Sequence, residues 1–233
     1  MVATRAPRKN QKYSIIIPAA GLGTRMITFG AKSLIKLNSQ DTVISRQLKI
    51  IDKIFTNYEV ILVTGFQGDK VMNNTPNHLI KVENPNFETT NVARSIGIGL
   101  RAATTENIVV IYGDLVFNEA ALRAPFDVDS MLICCNTMKD EEVGCTVGEN
   151  NYAVHLFYGK TPRWGQIMYL TGKELKQFRQ IVWNSENNMR YGFEIINQII
   201  DKGGRFKTRQ TQKAKAVDID TSKDIEIARS VIV

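Results

Sequence analysis

Three short, uninterrupted apolar runs, separated by helical segments, constrain the fold of this chain most. The runs are Ser14 to Pro18 (SIIIP), Glu59 to Thr64 (EVILVT) and Ile108 to Tyr112 (IVVIY). From Val43 to Phe55, between the first two runs, apolar residues recur at helical spacing, and a further strand is predicted near Leu79 to Val82. Strands that are apolar throughout are buried on both faces, and helices supply the cover. The pattern predicts a three-layer α/β fold with a mostly parallel central sheet.

After Ala124 the pattern changes to strand-like segments in close succession. These segments are Ser130 to Cys135, Cys145 to Val147, Ala153 to Tyr158 and Gln166 to Leu170. We expect them to extend the sheet with antiparallel strands, so that the sheet is mixed. Two helices, a strand near Lys215 to Ile219 and a helix from Thr221 complete the prediction. Since there is no internal repeat and no linker, residues 13–233 are expected to form a single domain.

The charge is unevenly placed along the chain. Of its 233 residues 30 are Lys or Arg and 23 are Asp or Glu, which gives a net charge of +7 and permits anionic partners. Arg5, Arg8, Lys9 and Lys12 lie within the first twelve residues, so residues 1–12 are expected to be a basic, disordered arm. The arm has no interleaved aromatic residues for stacking on bases, which argues against a nucleic-acid partner.

The hydrophobic fraction of 43% and the charged fraction of 23% are ordinary for a soluble globular chain and exclude disordered and fibrous classes. No run approaches the roughly 18 to 20 apolar residues of a membrane span, and the first residues lack the apolar core of a secretory signal. A cytoplasmic protein without a membrane partner is expected. Cys134, Cys135 and Cys145 lack disulfide or zinc spacing and are predicted to be core residues.

A glycine-rich segment, GLGTRM from Gly21, follows the first predicted strand. Ligands of open α/β sheets bind at this end of the strands, and glycines let backbone N–H groups approach phosphate oxygens. A dinucleotide fingerprint would need Gly or Ala where Met26 stands, and the Walker A string is absent. The loop is distinguished instead by two cations, Arg25 directly after it and Lys32 further along.

The string IIIPAAGLGTRM, followed by KSLIKL, resembles the amino-terminal signature of nucleotidyltransferases that join a nucleoside triphosphate to a sugar phosphate or a phosphorylated alcohol. YGDLVFN is similar to that family's metal-binding acidic turn, and VDIDTSKDIEIA to its carboxyl-terminal acidic strand and helix. The resemblance spans about Ser14 to Ala228. It implies a Rossmann-like fold with a mixed, mostly parallel sheet, and transfer of a nucleoside monophosphate to a phosphomonoester with release of pyrophosphate.

The segment VENPNFETTNVARSIGIGL resembles the phosphocholine cytidylyltransferase branch of that family, which favours CTP as the nucleotide. Two departures from the family pattern stand out. Ala31 occupies the place where most members have Pro before the Lys, and the segment RYGFE (Arg190 to Glu194) lacks an acidic pair found in many members. The second departure leaves the acceptor open.

The resemblance assigns roles to the residues of the loop and beyond. The nucleotide-binding residues would be Ala19, Ala20, Gly21, Leu22, Gly23, Thr24, Asn91 and Ser95. Arg25 would bind the β and γ phosphates, and Lys32 would neutralise the α phosphate and the transition state, a task that suits a compact charge.

Two carboxylates would hold Mg²⁺, the cofactor that the resemblance implies. Asp114 is the first, and Asp220 is preferred over Asp218 as the second. The choice stays open because alternate residues of a strand point to the same face. Two aspartates suffice, since Mg²⁺ takes few carboxylates and completes its shell with phosphate oxygens and water.

The acceptor pocket is the least defined part of the prediction. Four aromatic residues are candidates for a cage around a quaternary ammonium, or else for core packing: Trp164, Tyr169, Trp183 and Tyr191. The basic segment Lys207 to Lys215 is either a contact for a sugar phosphate or a solvated face. A phosphate nucleophile is already anionic and needs no general base, so His78 and His155 are interpreted as structural.

Three alternatives to a CTP-dependent enzyme remain at this stage. One is a sugar-1-phosphate uridylyl-, thymidylyl- or guanylyltransferase. Another is an inactive nucleotide-binding regulator, although the presence of Arg25, Lys32, Asp114 and Asp220 argues against a decayed site. The third is an RNA-binding protein that uses the basic arm, whose binding would depend steeply on salt. The oligomeric state is not predicted.

Overall fold

Eleven strands and seven helices are seen in a computed structural model that describes residue 7 and residues 10–135, 142–211 and 213–232. The strands are β1 (Tyr13–Ala19), β2 (Tyr58–Thr64), β3 (Ile80–Glu83), β4 (Ile108–Ile111), β5 (Leu115–Phe117), β6 (Met131–Cys135), β7 (Val143–Val147), β8 (Ala153–Tyr158), β9 (Arg163–Leu170), β10 (Lys207–Gln210) and β11 (Ala216–Asp218). The helices are α1 (Val43–Ile54), α2 (Gly68–Asn73), α3 (Val92–Ala102), α4 (Glu119–Leu122), α5 (Gly172–Ile181), α6 (Gly192–Asp201) and α7 (Ser222–Ile232).

Nine of these strands form one mixed sheet, whose main path runs β10-β6-β9-β4-β1-β2-β3. The pairs β1–β2, β1–β4, β2–β3 and β6–β10 are parallel, whereas β9 runs antiparallel to both β4 and β6. The predicted mixed and mostly parallel sheet is therefore confirmed.

The core lies on both faces of this sheet, because successive residues of the central strand point to opposite sides. Ile15 and Ile17 of β1 pack in one apolar cluster with residues of α1, and Ile16 packs in a second cluster with residues of α3, α5 and α6. All three isoleucines are fully buried. This arrangement gives the three layers that the apolar runs predict.

A separate two-stranded ribbon lies at the carboxyl end of β4. In it β5 pairs antiparallel with β11, with Val116 opposite Val217. The ribbon joins segments about 100 residues apart in the chain, and Ile219 N–H donates to the carbonyl of Asp114 over 3.1 Å. It therefore brings the two acidic segments of the sequence side by side.

Two strands were not predicted, and both departures have a physical reason. β5 has only three residues, between two polar positions, which is too short to show a pattern. β10 covers the first four residues of the basic segment Lys207 to Lys215 and lies at the edge of the sheet. An edge strand needs no apolar face, so its polar composition conceals it.

The start of the chain is partly tied to the domain. Residues 1–6, 8 and 9 of the expected arm lie outside the described residues. Gln11 Nε2 donates to the hydroxyl of Tyr169 over 3.3 Å, and the Lys12 ammonium lies 3.1 Å from a carboxylate oxygen of Glu59. Gln11 and Lys12 thus contact the domain, and the disorder expected of residues 1–12 stays a prediction.

The cysteine prediction is confirmed: Cys134, Cys135 and Cys145 are free thiols buried in the core. Across the described ranges, none of the helices combines the length and the apolar character that crossing a bilayer requires.

Gly99 sets the distance between α3 and the sheet, and we predict that Gly99→Ala destabilises the protein. A Cβ at this position would lie 2.5 Å from Cγ2 of Ile16 and 3.2 Å from Cγ2 of Val63. Overpacking costs about 1–3 kcal/mol, and the better helix propensity of Ala recovers about 1 kcal/mol at most. We expect a net loss of about 1–2 kcal/mol in the free energy of unfolding, measured by chemical denaturation.

Gly21→Ala is the matched control, because a Cβ at Gly21 meets no atom within 4 Å. Its free energy of unfolding should stay close to that of the native protein. Equal stability of the two variants would contradict the account of helix packing.

Candidate active site

The glycine loop leaves β1 at its carboxyl end and passes over the Lys32 side chain. Gly23 has φ of 54° and ψ of 53°, a left-handed conformation that L side chains rarely adopt. A Cβ at Gly23 would also lie 3.0 Å from Cε of Lys32. Glycine is thus required here for its backbone angle and for the close approach of the lysine.

Lys32 lies between two carboxylates. Its Nζ is 3.0 Å from Oδ2 of Asp114 and 2.6 Å from Oδ1 of Asp220. A guanidinium nitrogen of Arg25 lies 3.2 Å from the other oxygen of Asp220. The side chain of Lys32 is only 15% exposed, whereas that of Arg25 is 64% exposed. The structure therefore brings together all four charged residues that the resemblance singled out.

The charges in this cluster shift one another's pKa values. Burial acts to lower the pKa of Lys32, but the opposing effects of Asp114 and Asp220 together raise it above its usual value. The pKa of Asp114 is raised, first by burial and then by the negative charges of Asp218 and Asp220, although Lys32 opposes the shift. Burial and the neighbouring carboxylates thus disfavour the charged form of Asp114, which a further cation would favour.

Asp218 and Asp220 have different partners. One oxygen of Asp218 lies 3.0 Å from a guanidinium nitrogen of Arg163, and the other accepts a hydrogen bond of 2.9 Å from Gln166. The Arg163 side chain is 2% exposed, and its Nε lies 2.8 Å from a carboxylate oxygen of Glu142. Asp218 thus neutralises a buried cation, and the carboxylate beside Lys32 is Asp220.

The turn that presents Asp220 is held by Asp224 in the first turn of α7. An oxygen of the Asp224 carboxylate accepts hydrogen bonds from the backbone N–H groups of Asp220, over 3.1 Å, and Thr221, over 2.7 Å. Thr221 and Asp224 have the spacing of a capping box, in which Asp224 here holds the turn, and the Thr221 hydroxyl donates to the same carboxylate.

The donor set fits a cation that arrives with phosphates. Within residues 10–135, 142–211 and 213–232, no group of three or more His, Cys, Asp or Glu side chains could hold a metal ion by itself. Asp114 and Asp220 nevertheless converge on one point, the Lys32 ammonium. Two carboxylates suit Mg²⁺, which takes the rest of its ligands from phosphate oxygens and water.

These residues line one wall of a cleft of about 810 Å³. The predicted loop residues Ala19, Ala20, Gly21, Leu22, Gly23 and Thr24 all line it, as do Asn91 and Ser95. Asn91 begins α3, where its side chain accepts a hydrogen bond of 2.7 Å from Val92 N–H. Ser95 is buried and accepts a hydrogen bond of 3.1 Å from Asn84, a cleft residue that the sequence analysis did not identify.

Aromatic side chains also line the cleft, and Tyr158, Tyr191 and Phe193 are together called the aromatic wall. Tyr191 is 48% exposed and stacks on Phe193 at 5.9 Å between ring centroids, and Tyr158, 55% exposed, meets Phe193 edge-on at 5.5 Å. Trp164 also lines the cleft but is 3% exposed, and its indole N–H donates to the carbonyl of Ile167. Tyr158 and Phe193 were not predicted, since nothing in their local sequence separates them from packing residues.

The structure corrects the expectation for Tyr169 as an acceptor contact. Its side chain is fully buried against Tyr13 and Phe126 and does not line the cleft. Its hydroxyl donates to the side-chain oxygen of Asn107 over 3.0 Å. Tyr169 faces the α1 side of the sheet, so it is a core residue.

Trp183 and the two histidines also lie outside the cleft lining. Trp183 contacts arginines of α3 in a neighbouring cavity. His155 lies against Asn197 of α6, with 3.2 Å between its Nε2 and the amide nitrogen, in keeping with a structural role. His78 is exposed in the connection before β3.

Comparison with known proteins agrees with this geometry. The family profile of the MobA-like NTP transferase domain matches residues 15–174. That match covers β1 to the first residues of α5 and so includes the glycine loop, Lys32 and Asp114. No curated protein matches the sequence.

Solved structures of nucleotidyltransferases are similar over nearly their whole length. The chain aligns with an inositol-1-phosphate CTP transferase from T. maritima at a TM-score of 0.75 and 19% identity, covering 94% of this chain and 95% of that one. A CTP:phosphocholine cytidylyltransferase from Streptococcus pneumoniae aligns at a TM-score of 0.77 and 16% identity, covering 96% of this chain and 100% of that one. A nucleoside-diphosphate-sugar pyrophosphorylase from Vibrio cholerae RC9 aligns at a TM-score of 0.69 and 14% identity, covering 93% of this chain and 99% of that one. At these identities the likeness shows a shared fold.

The different partners of the two aspartates lead to a prediction about stability. Asp218→Asn removes a charge that neutralises the buried Arg163, and we expect it to lower the free energy of unfolding by about 1–3 kcal/mol. Asp220→Asn removes one of the two carboxylates of Lys32 but also relieves repulsion from Asp114, so it should lower the free energy of unfolding by less than Asp218→Asn does, by about 1 kcal/mol at most. Chemical denaturation of both variants, without added metal, measures the difference. A larger loss in Asp220→Asn than in Asp218→Asn would contradict the assignment.

Proposed function

Because the chain belongs to the MobA-like NTP transferase domain family and is a nucleotidyltransferase, we propose that it transfers a nucleoside monophosphate from CTP to a phosphomonoester such as phosphocholine or a sugar phosphate. Pyrophosphate is the second product. The observation that carries the proposal is the Lys32 ammonium, held between Asp114 and Asp220 beneath the glycine loop. The cytoplasm, where nucleoside triphosphates are abundant, is the proposed location.

The proposed reaction is an in-line displacement at the α phosphorus of the triphosphate. A bond forms between an oxygen of the acceptor phosphate and this phosphorus, while the bond from the phosphorus to the bridging oxygen breaks and pyrophosphate leaves. The attacking oxygen is already anionic, so alignment and charge neutralisation carry the catalysis. A reaction that needs no general base fits this cleft, because neither His78 nor His155 lines it.

Lys32 is the proposed neutralising group at the α phosphate. Its low exposure places it beneath the loop, and its ammonium would turn from Asp114 and Asp220 toward the α phosphate when substrate binds. Arg25 is mostly exposed and has one carboxylate partner, so it is free to turn from Asp220 toward the β and γ phosphates. The backbone of residues 21–24 would hold the remaining phosphate oxygens and the nucleoside.

Members of the family generally use divalent metal ions, and we propose Mg²⁺ for this chain. Asp114 and Asp220 would hold it, and when bound it supplies positive charge that neutralises the triphosphate. The raised pKa of Asp114 supports this role, because a bound cation would favour the charged form of this carboxylate. Asp218 stays engaged with Arg163 in this proposal.

The aromatic wall supports an acceptor with a cationic head group. The exposed faces of Tyr158 and Tyr191 lie beside Phe193, and Glu142 lines the same cleft. Aromatic faces attract quaternary ammonium groups, which favours phosphocholine. The phosphocholine enzyme from Streptococcus pneumoniae is among the structural neighbours, but so is the sugar-nucleotide enzyme from Vibrio cholerae RC9. Both acceptor classes therefore enter the test.

The first test is pyrophosphate release in the presence of Mg²⁺. CTP, UTP, dTTP, GTP and ATP are each combined with phosphocholine, other phosphoalcohols and hexose 1-phosphates, and the products are identified by mass. We expect release that needs CTP and one acceptor and that stops when the metal is chelated. Release with another triphosphate would overturn the CTP assignment, and triphosphate binding without release for any acceptor would favour a regulatory protein.

A second prediction concerns Lys32. Lys32→Ala should reduce turnover by at least about 100-fold, because a positioned charge at the transition state is lost. Lys36→Ala is the control, since Lys36 is exposed and does not line the cleft. Initial rates are compared after circular dichroism has shown that both variants are folded. A near-native rate in folded Lys32→Ala would sink the proposed mechanism.

A further inference from the structure

A second cavity, of about 670 Å³, lies beside the cleft between α3 and Trp183. Asn84 and Thr90 line both spaces, so the segment before α3 forms their common wall. The proposed reaction makes no use of this second cavity. Its lining is mixed: Val82 and Ile98 are apolar, while Asn86, Asn188 and Thr89 supply amides and a hydroxyl.

Two arginines of α3 dominate this cavity. Arg94 and Arg101 are seven residues, or two helical turns, apart and so share a face of the helix. Their guanidinium carbons lie 4.4 Å and 3.4 Å from the centre of the Trp183 ring. The indole therefore holds two positive charges close together at the cavity wall.

Gly97 makes this arrangement possible. It lies between the two arginines along the helix, and a Cβ there would lie 2.8 Å from Cγ1 of Val182 and 3.5 Å from the Trp183 ring. The missing side chain lets the segment that carries Trp183 pack directly on α3. Glycine lowers the helix propensity of α3 at this position, which lies between the two arginines.

Neither arginine has an acidic partner in the described part of the chain. Arg94 donates a hydrogen bond to the amide oxygen of Asn188, and the guanidinium of Arg101 stacks on the Trp183 ring. Glu83 lines the cavity without forming an ion pair with either of them. A carboxylate lies within ion-pairing distance of five other arginines in the described ranges, whereas the remaining ones resemble Arg94 and Arg101 in this respect; the five are Arg25, Arg123, Arg163, Arg179 and Arg190.

The two guanidinium groups against one ring repel each other. Burial, and after it the nearby charge of Arg101, lower the pKa of Arg94. Stacking on Trp183 requires only one guanidinium, so packing alone does not explain why a second cation is held against the same ring. A bound anion would remove the repulsion between them.

We propose that Arg94, Arg101 and Trp183 form a binding site for a phosphate group, separate from the catalytic cleft. Guanidinium groups bind phosphate through paired N–H donors, and the neighbouring amides and hydroxyl supply further donors. The cavity is larger than a single phosphate needs, so the ligand class is a small phosphorylated molecule. Its phosphate belongs either to pyrophosphate or to a nucleotide.

The test uses tryptophan fluorescence, because the chain contains only Trp164 and Trp183. In Trp164→Phe the remaining signal comes from the proposed site. Inorganic phosphate, pyrophosphate and CMP are titrated separately at constant ionic strength. We expect a saturable change with at least one of them, and the tightest probe distinguishes pyrophosphate from a nucleotide as the source of the phosphate.

Three further variants, built on Trp164→Phe, locate the signal. Arg101→Gln should weaken binding at least tenfold, and Arg101→Lys should restore part of the affinity. Lys176→Gln removes one positive charge from the exposed face of α5, outside both cavities, and should leave affinity unchanged. Lys32→Ala should also leave it unchanged, which separates this site from the catalytic cleft.

Several outcomes would overturn the proposal. They are the absence of saturation with all three probes, an equal change with sodium chloride, and a signal that survives Arg101→Gln but is lost in Lys32→Ala. Trp164 is buried, so if Trp164→Phe does not fold, calorimetric titration of the native protein and of Arg101→Gln replaces the fluorescence. Equal heats and affinities in these two proteins would likewise overturn the proposal.

Discussion

The salt bridges of Lys32 with Asp114 and Asp220 tie together three segments that are distant in the chain. Lys32 follows the glycine loop, Asp114 follows β4, and Asp220 follows β11. A largely buried ammonium is stable only with partners, and two carboxylates this close would repel each other without it. The same interaction therefore stabilises the ends of these segments and creates the charged wall of the cleft.

The buried ion pair between Arg163 and Asp218 determines which of two nearby aspartates pairs with Lys32. Asp218 and Asp220 are two residues apart, and strand alternation alone gives no reason to prefer one. Burial of Arg163 settles their partners, because a buried guanidinium must be compensated and Asp218 is one of its carboxylates. The site thus depends on a residue that lies beneath the cleft and does not line it.

The sequence predicts best the strands that are apolar throughout and the polar segments that follow them. The parallel strands β1, β2 and β4 are apolar runs, and the glycine loop and Asp114 follow the carboxyl ends of β1 and β4, where ligand sites form. Sequence reasoning failed where a residue's role depends on tertiary packing. Tyr169 and Tyr191 are alike as sequence letters, yet one packs against Tyr13 and the other is half exposed in the cleft. The pairing of Arg94 with Arg101 around Trp183 is equally invisible, since Trp183 arrives from a segment that is distant in sequence.

The ribbon of β5 and β11 has a consequence for the order of events on the ribosome. The glycine loop, Lys32 and Asp114 are synthesised about 100 residues or more before β11 and Asp220. β10, the edge strand of the main sheet, also follows all the other strands of that sheet in the chain. A nascent chain can build the central parallel strands early but cannot close its acidic site. A chain that stops before residue 216 would have the glycine loop and half of the carboxylate pair.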